Sequence, residues 1–113
     1  MVKLSPQKLA GIYEMLCQFE PFKGWTMPPS KDIEFHVSRD KTCYGEYSPE
    51  PHAITLSSAK NGFLETAIRT MAHEMIHLKL YVLKRKNWDK HESNFAQMAH
   101  KVSVNMGFDP KEL

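Results

Sequence analysis

The feature that most limits what this chain can fold into is a change of hydrophobic period at Asn61-Gly62. Beyond it, Leu64, Ile68, Met71 and Met75 step by four, three and four, the stripe of one packed helix face. The spacing predicts a helix from Gly62 to Lys86. A second helix runs from Glu92 to Met106, with Phe95, Met98, Ala99 and Val102 inward, Gly107 as its stop and Pro110 just beyond. Ahead of the change the pattern differs. Ser5-Pro6 supplies a capping hydroxyl and a proline for the first helical position, and Leu9, Ile12, Tyr13, Leu16 and Phe19 carry that helix from Pro6 to Phe19. Pro21, Gly24, Pro28 and Pro29 make Glu20 to Lys31 a loop. Ile33, Phe35 and Val37 alternate with Glu34, His36 and Ser38, which predicts a strand over Asp32 to Ser38. Cys43 to Tyr47 and His52 to Ser57 are two more strands, turned by Ser48-Pro49-Glu50-Pro51. Three short strands in succession predict an antiparallel meander. The expected class is therefore α+β: an N-terminal helix, a small three-stranded antiparallel sheet and two C-terminal helices.

A length of 113 residues suits a single domain over 1–113. With 42% hydrophobic and 25% charged residues there is apolar material for one core, and disorder is excluded. No apolar run is long enough to cross a bilayer, so no membrane association is expected. The first eight residues contain no secretion-type apolar segment. Two cysteines, Cys17 and Cys43, cannot form a disulfide framework and suit a reducing, cytoplasmic setting. A net charge of +2 announces no polyanionic partner. Locally, Lys79, Lys84, Arg85, Lys86, Lys90 and Lys101 face only Asp89 and Glu92. That segment reads either as a solvated helix end, with cations favoured by the helix dipole, or as a phosphate-facing patch that contacts DNA.

The chemistry lies in His73-Glu74-Met75-Ile76-His77. On a helix, histidines four apart share a face, and two imidazoles so placed can reach one ion at the roughly 2.0–2.1 Å of a zinc–nitrogen bond. Glu74 is rotated beside them, where it acts on water at the metal rather than on the metal itself. Zinc brings the pKa of such a water to about 7, and a carboxylate can take its proton as it attacks a carbonyl. The bland reading, solvated or backbone-satisfied polar groups, competes with this. Against it, the helix already has a separate apolar stripe, and Thr66, Thr70, His73 and His77 form a polar line like a cleft wall. A catalytic zinc usually takes a third protein ligand, for which His91, Glu92, His100, His36 and His52 are candidates. His91 sits where the next helix begins, and Glu92 is its chief rival.

From Leu64 to Val102 the chain resembles the SprT-like metalloprotease domain, whose eukaryotic relatives include Spartan. The pieces that carry the likeness are Leu64-Glu65-Thr66, Ala72-His73-Glu74-Met75-Ile76-His77, His91-x-x-x-Phe95 and Met98-Ala99-His100-Lys101-Val102. Cys43 to Ser58 adds a resemblance to the strand before the active helix. The resemblance implies a zincin-like fold and Zn2+ held by His73, His77 and His91, with Glu74 as general base. It also implies protein substrates, in some relatives proteins crosslinked to DNA. Two departures stand out. Glu92 occupies the place where the family usually has glycine, and no Cys-x-x-Cys follows residue 102, so the zinc ribbon of many relatives is missing.

The leading expectation is thus a zinc-dependent peptidase acting on protein or peptide, with the substrate strand pairing to an exposed sheet edge, the His52 to Ser57 strand. A zinc-containing interaction module without turnover is the alternative, and a hydrolase of non-protein amides or esters is a third. His100 reads as outer-shell or surface, His36 and His52 as solvent-facing, and Met71, Met75 and Met98 as core filler. Tyr44, Tyr47 and Tyr81 are candidates for stabilising an oxyanion. Cys17 reads as buried on its helix, with no nucleophilic role.

Overall fold

The structure is a computed structural model that describes residues 2–113. Helix α1 spans Pro6–Leu16, with the Ser5 hydroxyl accepting from the Lys8 amide. It ends one turn before the sequence pattern does, because Leu16 is its last buried residue and Phe19 is 53% exposed. The predicted loop contains a short helix α2 (Phe22–Trp25) and a 3₁₀ turn at Ser30–Asp32. Phe22 is fully buried and packs edge-on against Trp25, which gives the α2 turn its anchor.

The strands are β1 (Glu34–Ser38), β2 (Gly45–Ser48) and β3 (Ala53–Ser57), in the order β1-β3-β2. β3 runs parallel to β1 and antiparallel to β2. The sheet is therefore mixed, and the expected antiparallel meander is corrected. The strand with both Ile54 and Leu56 fully buried takes the centre, while the half-exposed β1 and β2 become edges. Apolar burial outweighs sequence order here. With β3 internal, its expected role as the edge that receives a substrate strand is also corrected; the edges are β1 and β2.

Helix α3 (Leu64–Val82) crosses the sheet and packs on β2, β3, α1 and α4. Of the expected stripe Met71 and Met75 are fully buried, Ile68 is half-buried and Leu64 at the helix start is exposed, while Ala67 and Leu78 join the buried face. It stops at Val82 rather than Lys86. Lys84 adopts a left-handed conformation (φ 60°), its amide donates to Tyr81 O and the Arg85 amide to Leu80 O. This is the paired closure that usually employs glycine at the left-handed position, and it turns the chain back along α3. Helix α4 (Ser93–Met106) follows, ending at the left-handed Gly107. None of the described helices is long and apolar enough to cross a membrane.

One buried side chain ties these layers together. Asn61, with no exposed surface, donates from Nδ2 to Tyr44 O (2.8 Å) and Ser57 O (2.7 Å) and accepts at Oδ1 from the Thr70 hydroxyl (2.7 Å). It thereby joins the start of β2, the end of β3 and α3. Asn61→Ala removes all three bonds and should lower the unfolding free energy by about 2–4 kcal/mol, checked by urea denaturation.

Candidate metal centre

The reversal after α3 brings His91 over the face that carries His73 and His77. His91 Nε2 lies 3.1 Å from His73 Nε2 and 3.2 Å from His77 Nε2. One ligand atom from each of the three lies within 4.8 Å of the others. Two nitrogens bound to one tetrahedral zinc at the usual bond length stand about 3.4 Å apart, so the cluster could hold a metal ion.

Protonation agrees with the spacing. His77 Nδ1 is 2.7 Å from Trp88 O, and because a carbonyl only accepts, Nδ1 carries the hydrogen and Nε2 presents its lone pair inward. Burial, with the neighbouring His77 and His91, pushes His73 down to about 4, and burial is also the main cause that lowers His77. Both are neutral imidazoles at pH 7, the form that coordinates metal. Phe95, from the first turn of α4, floors the cluster with its ring centroid 4.7–4.8 Å from each imidazole.

Glu74 is 5% exposed beside this cluster. Burial pushes its carboxyl up to about 8, with the charge of Glu46 adding to the effect. The cause of the burial is β2. A Cβ on Gly45 would stand 2.8 Å from Thr70 Cγ2, 2.9 Å from Thr55 O and 3.4 Å from Glu74 Oε2. Only a residue without a side chain lets this strand lie so close to α3.

Two cavities flank the cluster. The larger, about 500 Å³, reaches from His73 and Glu74 past Tyr44, Thr70 and Arg69 to Glu112. The smaller, about 190 Å³, runs from His77 and His91 past Glu46, Tyr47, Trp88 and Asp89. The cleft is thus open on both sides of the histidines.

Other residues singled out in the sequence fall as follows. Glu92 stands at the N-cap of α4, with Oε1 3.5 Å from the Asn87 amide nitrogen, and His100 is exposed on α4. Neither belongs to the histidine cluster. His36 is paired with Glu34 at 3.1 Å. His52 precedes β3 and is half-buried, its Nδ1 2.7 Å from the Tyr47 hydroxyl, so its solvent-facing assignment is corrected. The Tyr81 hydroxyl donates to Glu50 Oε1, and Tyr44 lines the larger cavity. In the polar line of α3, Thr70 lines that cavity but is bonded to Asn61, and Thr66 is not in its wall. Met71 and Met75 are core residues and Met98 packs against the core. Cys17 is half-buried at the C-cap of α1 and Cys43 is exposed; both are free. Sequence reasoning missed Gly45, Asn61 and the Trp88 carbonyl. A glycine inside a strand pattern is a signal of close backbone approach; the other two leave no local mark.

A model of the SprT-like family matches residues 12–112, nearly the whole chain. The chain belongs to the SprT-like family. Comparison with curated proteins finds no match. The family assignment and the three-histidine cluster concern the same segment, since the matched span contains all three histidines and Glu74.

Gly45→Ala should cost about 1–3 kcal/mol, the usual penalty of overpacking, measured as a shift in urea midpoint. Adding Thr70→Ser, which removes the Cγ2 methyl, should recover part of it, while the contact with Thr55 O prevents full recovery.

Proposed function

We propose that this SprT-like chain is a zinc-dependent metallopeptidase with a zincin-like core, in which His73, His77 and His91 hold Zn2+ and Glu74 is the general base. The observation that carries the reading is the convergence of three imidazole nitrogens beside the buried carboxyl group of Glu74. When bound, zinc supplies Lewis acidity that acidifies water and polarises a carbonyl. The chain's own groups do the rest. The Trp88 carbonyl fixes the tautomer of His77. Gly45 lies against Glu74, where burial raises the carboxyl's affinity for a proton; a cation held by the histidines would favour its ionised form, which can take a proton at Oε and pass it to a leaving amine. β2 is a sheet edge, and its residues Gly45, Glu46 and Tyr47 line the cleft. An extended peptide added to that edge lies across the histidines.

In this reading the substrate is protein or peptide, the whole of 1–113 acts as one metallopeptidase domain, and two free cysteines suit a cytoplasmic setting. Of the basic segment, Lys79 is spent on Trp25 O, leaving Lys84, Arg85, Lys86, Lys90 and Lys101 exposed. These five are the proposed DNA contact, which would bring DNA-associated proteins to the cleft. Raising salt from 50 to 200 mM should then weaken binding of a short DNA at least tenfold, measured by fluorescence anisotropy; salt-independent or absent binding removes DNA from the proposal.

The decisive experiment is zinc content and casein cleavage of the wild type beside three variants. His91→Ala should lose zinc affinity by more than about 100-fold, beyond the loss of an outer-shell partner, and lose cleavage with it. Glu92→Ala should keep both. Glu74→Gln should retain zinc while cleavage falls about 10²–10⁴-fold. Wild type that binds zinc and cleaves nothing would favour the interaction-module alternative.

A further inference from the structure

The two arms of the cleft differ in charge. The smaller contains the carboxylates of Glu46 and Asp89. The larger contains the cation Arg69 beside Glu112 and Leu113; Arg69 stands four residues before His73 and therefore on the same face of α3 one turn away. The Arg69 side chain is only 20% exposed. A guanidinium so shielded needs an anionic partner, and the ion pair it makes among the described residues is loosely held. Glu112, from the 3₁₀ turn Pro110–Glu112, touches Nη1 through Oε2 at 3.4 Å, and its own side chain is 55% exposed. That is a single long contact, outside the 2.7–2.9 Å of a charge-assisted hydrogen bond, where the guanidinium fork can offer two parallel short ones. Glu112 therefore marks where a carboxylate sits without using the full capacity of the site.

From this geometry we propose that Arg69 forms a carboxylate-selecting subsite in the larger arm of the cleft, and that Glu112 holds the place until a substrate carboxylate displaces it. The proposal rests on the peptidase reading and names its substrate class: peptides with an acidic group on the His73 side of the scissile bond. Glu46 and Asp89 repel the same group from the opposite arm, which fixes the direction in which an acidic peptide lies. The cavity of about 500 Å³ has room for a side chain beside the histidines. The carboxylate can come from an Asp or Glu side chain or from a peptide's own C-terminus; Arg69 reads the chemistry common to both.

The test uses the zinc-loaded full chain carrying Glu74→Gln, so that peptides bind without turnover. Fluorescent octapeptides of Ala and Ser, amidated at the C-terminus, carry one Glu or one Gln stepped through each position; a neutral peptide with a free C-terminal carboxylate completes the set. By anisotropy, Glu at one or two adjacent positions should bind about tenfold tighter than Gln at the same place. Adding Arg69→Gln should bring that ratio close to one, and Arg69→Lys should retain part of it. Glu112→Gln, at an exposed position that folding tolerates, should tighten the Glu peptide by removing the competitor. Tight binding of only the free-acid peptide would also support the subsite and assign it to chain ends. Equal affinities of Glu and Gln peptides at every position, an absence of binding, or a preference that survives Arg69→Gln would overturn it. The same peptides incubated with the zinc-loaded wild type, read by mass spectrometry, separate the two ideas: preference without cleavage fails the peptidase reading and leaves Arg69 standing, whereas cleavage without preference does the reverse.

Discussion

The close approach of β2 to α3 at Gly45 is the constraint from which the site follows. Three groups surround the space where a side chain would stand: a methyl of Thr70, the carbonyl of Thr55 and a carboxylate oxygen of Glu74. Because the strand lies so near, Glu74 is screened from water and the β2 edge lines the cleft. Asn61 holds the same junction from behind, with its amide shared among the start of β2, the end of β3 and Thr70. A carboxylate in this position costs free energy to ionise, and only a rigid surround keeps it from turning out to solvent.

The donor side of the site is organised by different parts. The left-handed turn at Lys84 sends residues 85–91 back along α3, and Trp88 does two things on the way. Its carbonyl fixes the His77 tautomer, and its indole packs edge-on against Tyr47 and Tyr81. The aromatic contact thus holds the backbone atom that orients the imidazole. Phe95 closes the floor, so the three rings have an apolar support beneath them.

Much of this was legible in the chain. Both long helices and the His73/Glu74/His77 arrangement follow from period and spacing, which are local properties. The place of His91 came through a family pattern rather than through spacing, since nothing in residues 78–90 states that the chain reverses at Lys84, a residue type that seldom takes a left-handed conformation. Strand order was illegible for a different reason. Whether β2 or β3 lies beside β1 depends on which strand gains more from burial on both sides, a comparison between distant segments that alternation within one strand cannot express. Asn61-Gly62 reads as a turn, and so it is, but the burial of the Asn61 amide depends on Tyr44, Ser57 and Thr70, which are brought to it only by the finished fold. The loop from Glu20 to Lys31 hid a helical turn because prolines and glycine outweigh one buried phenylalanine in any local reading.

All three histidines of the cluster come from the nineteen residues between His73 and His91, whereas Glu74 owes its surroundings to Gly45 and Asn61, far earlier in the chain. The first arrangement spans one helix and one short return, a span whose loop-closure entropy is small, although Trp88 and Phe95 tie it to β2 and α4. The second requires the sheet to be assembled and docked, a set of contacts of long sequence separation that carries the larger loop-closure cost. The spacing of the three imidazoles therefore leans mainly on contacts close in the chain and the shielding of Glu74 on contacts distant in it, so that a change in the sheet bears first on the carboxyl.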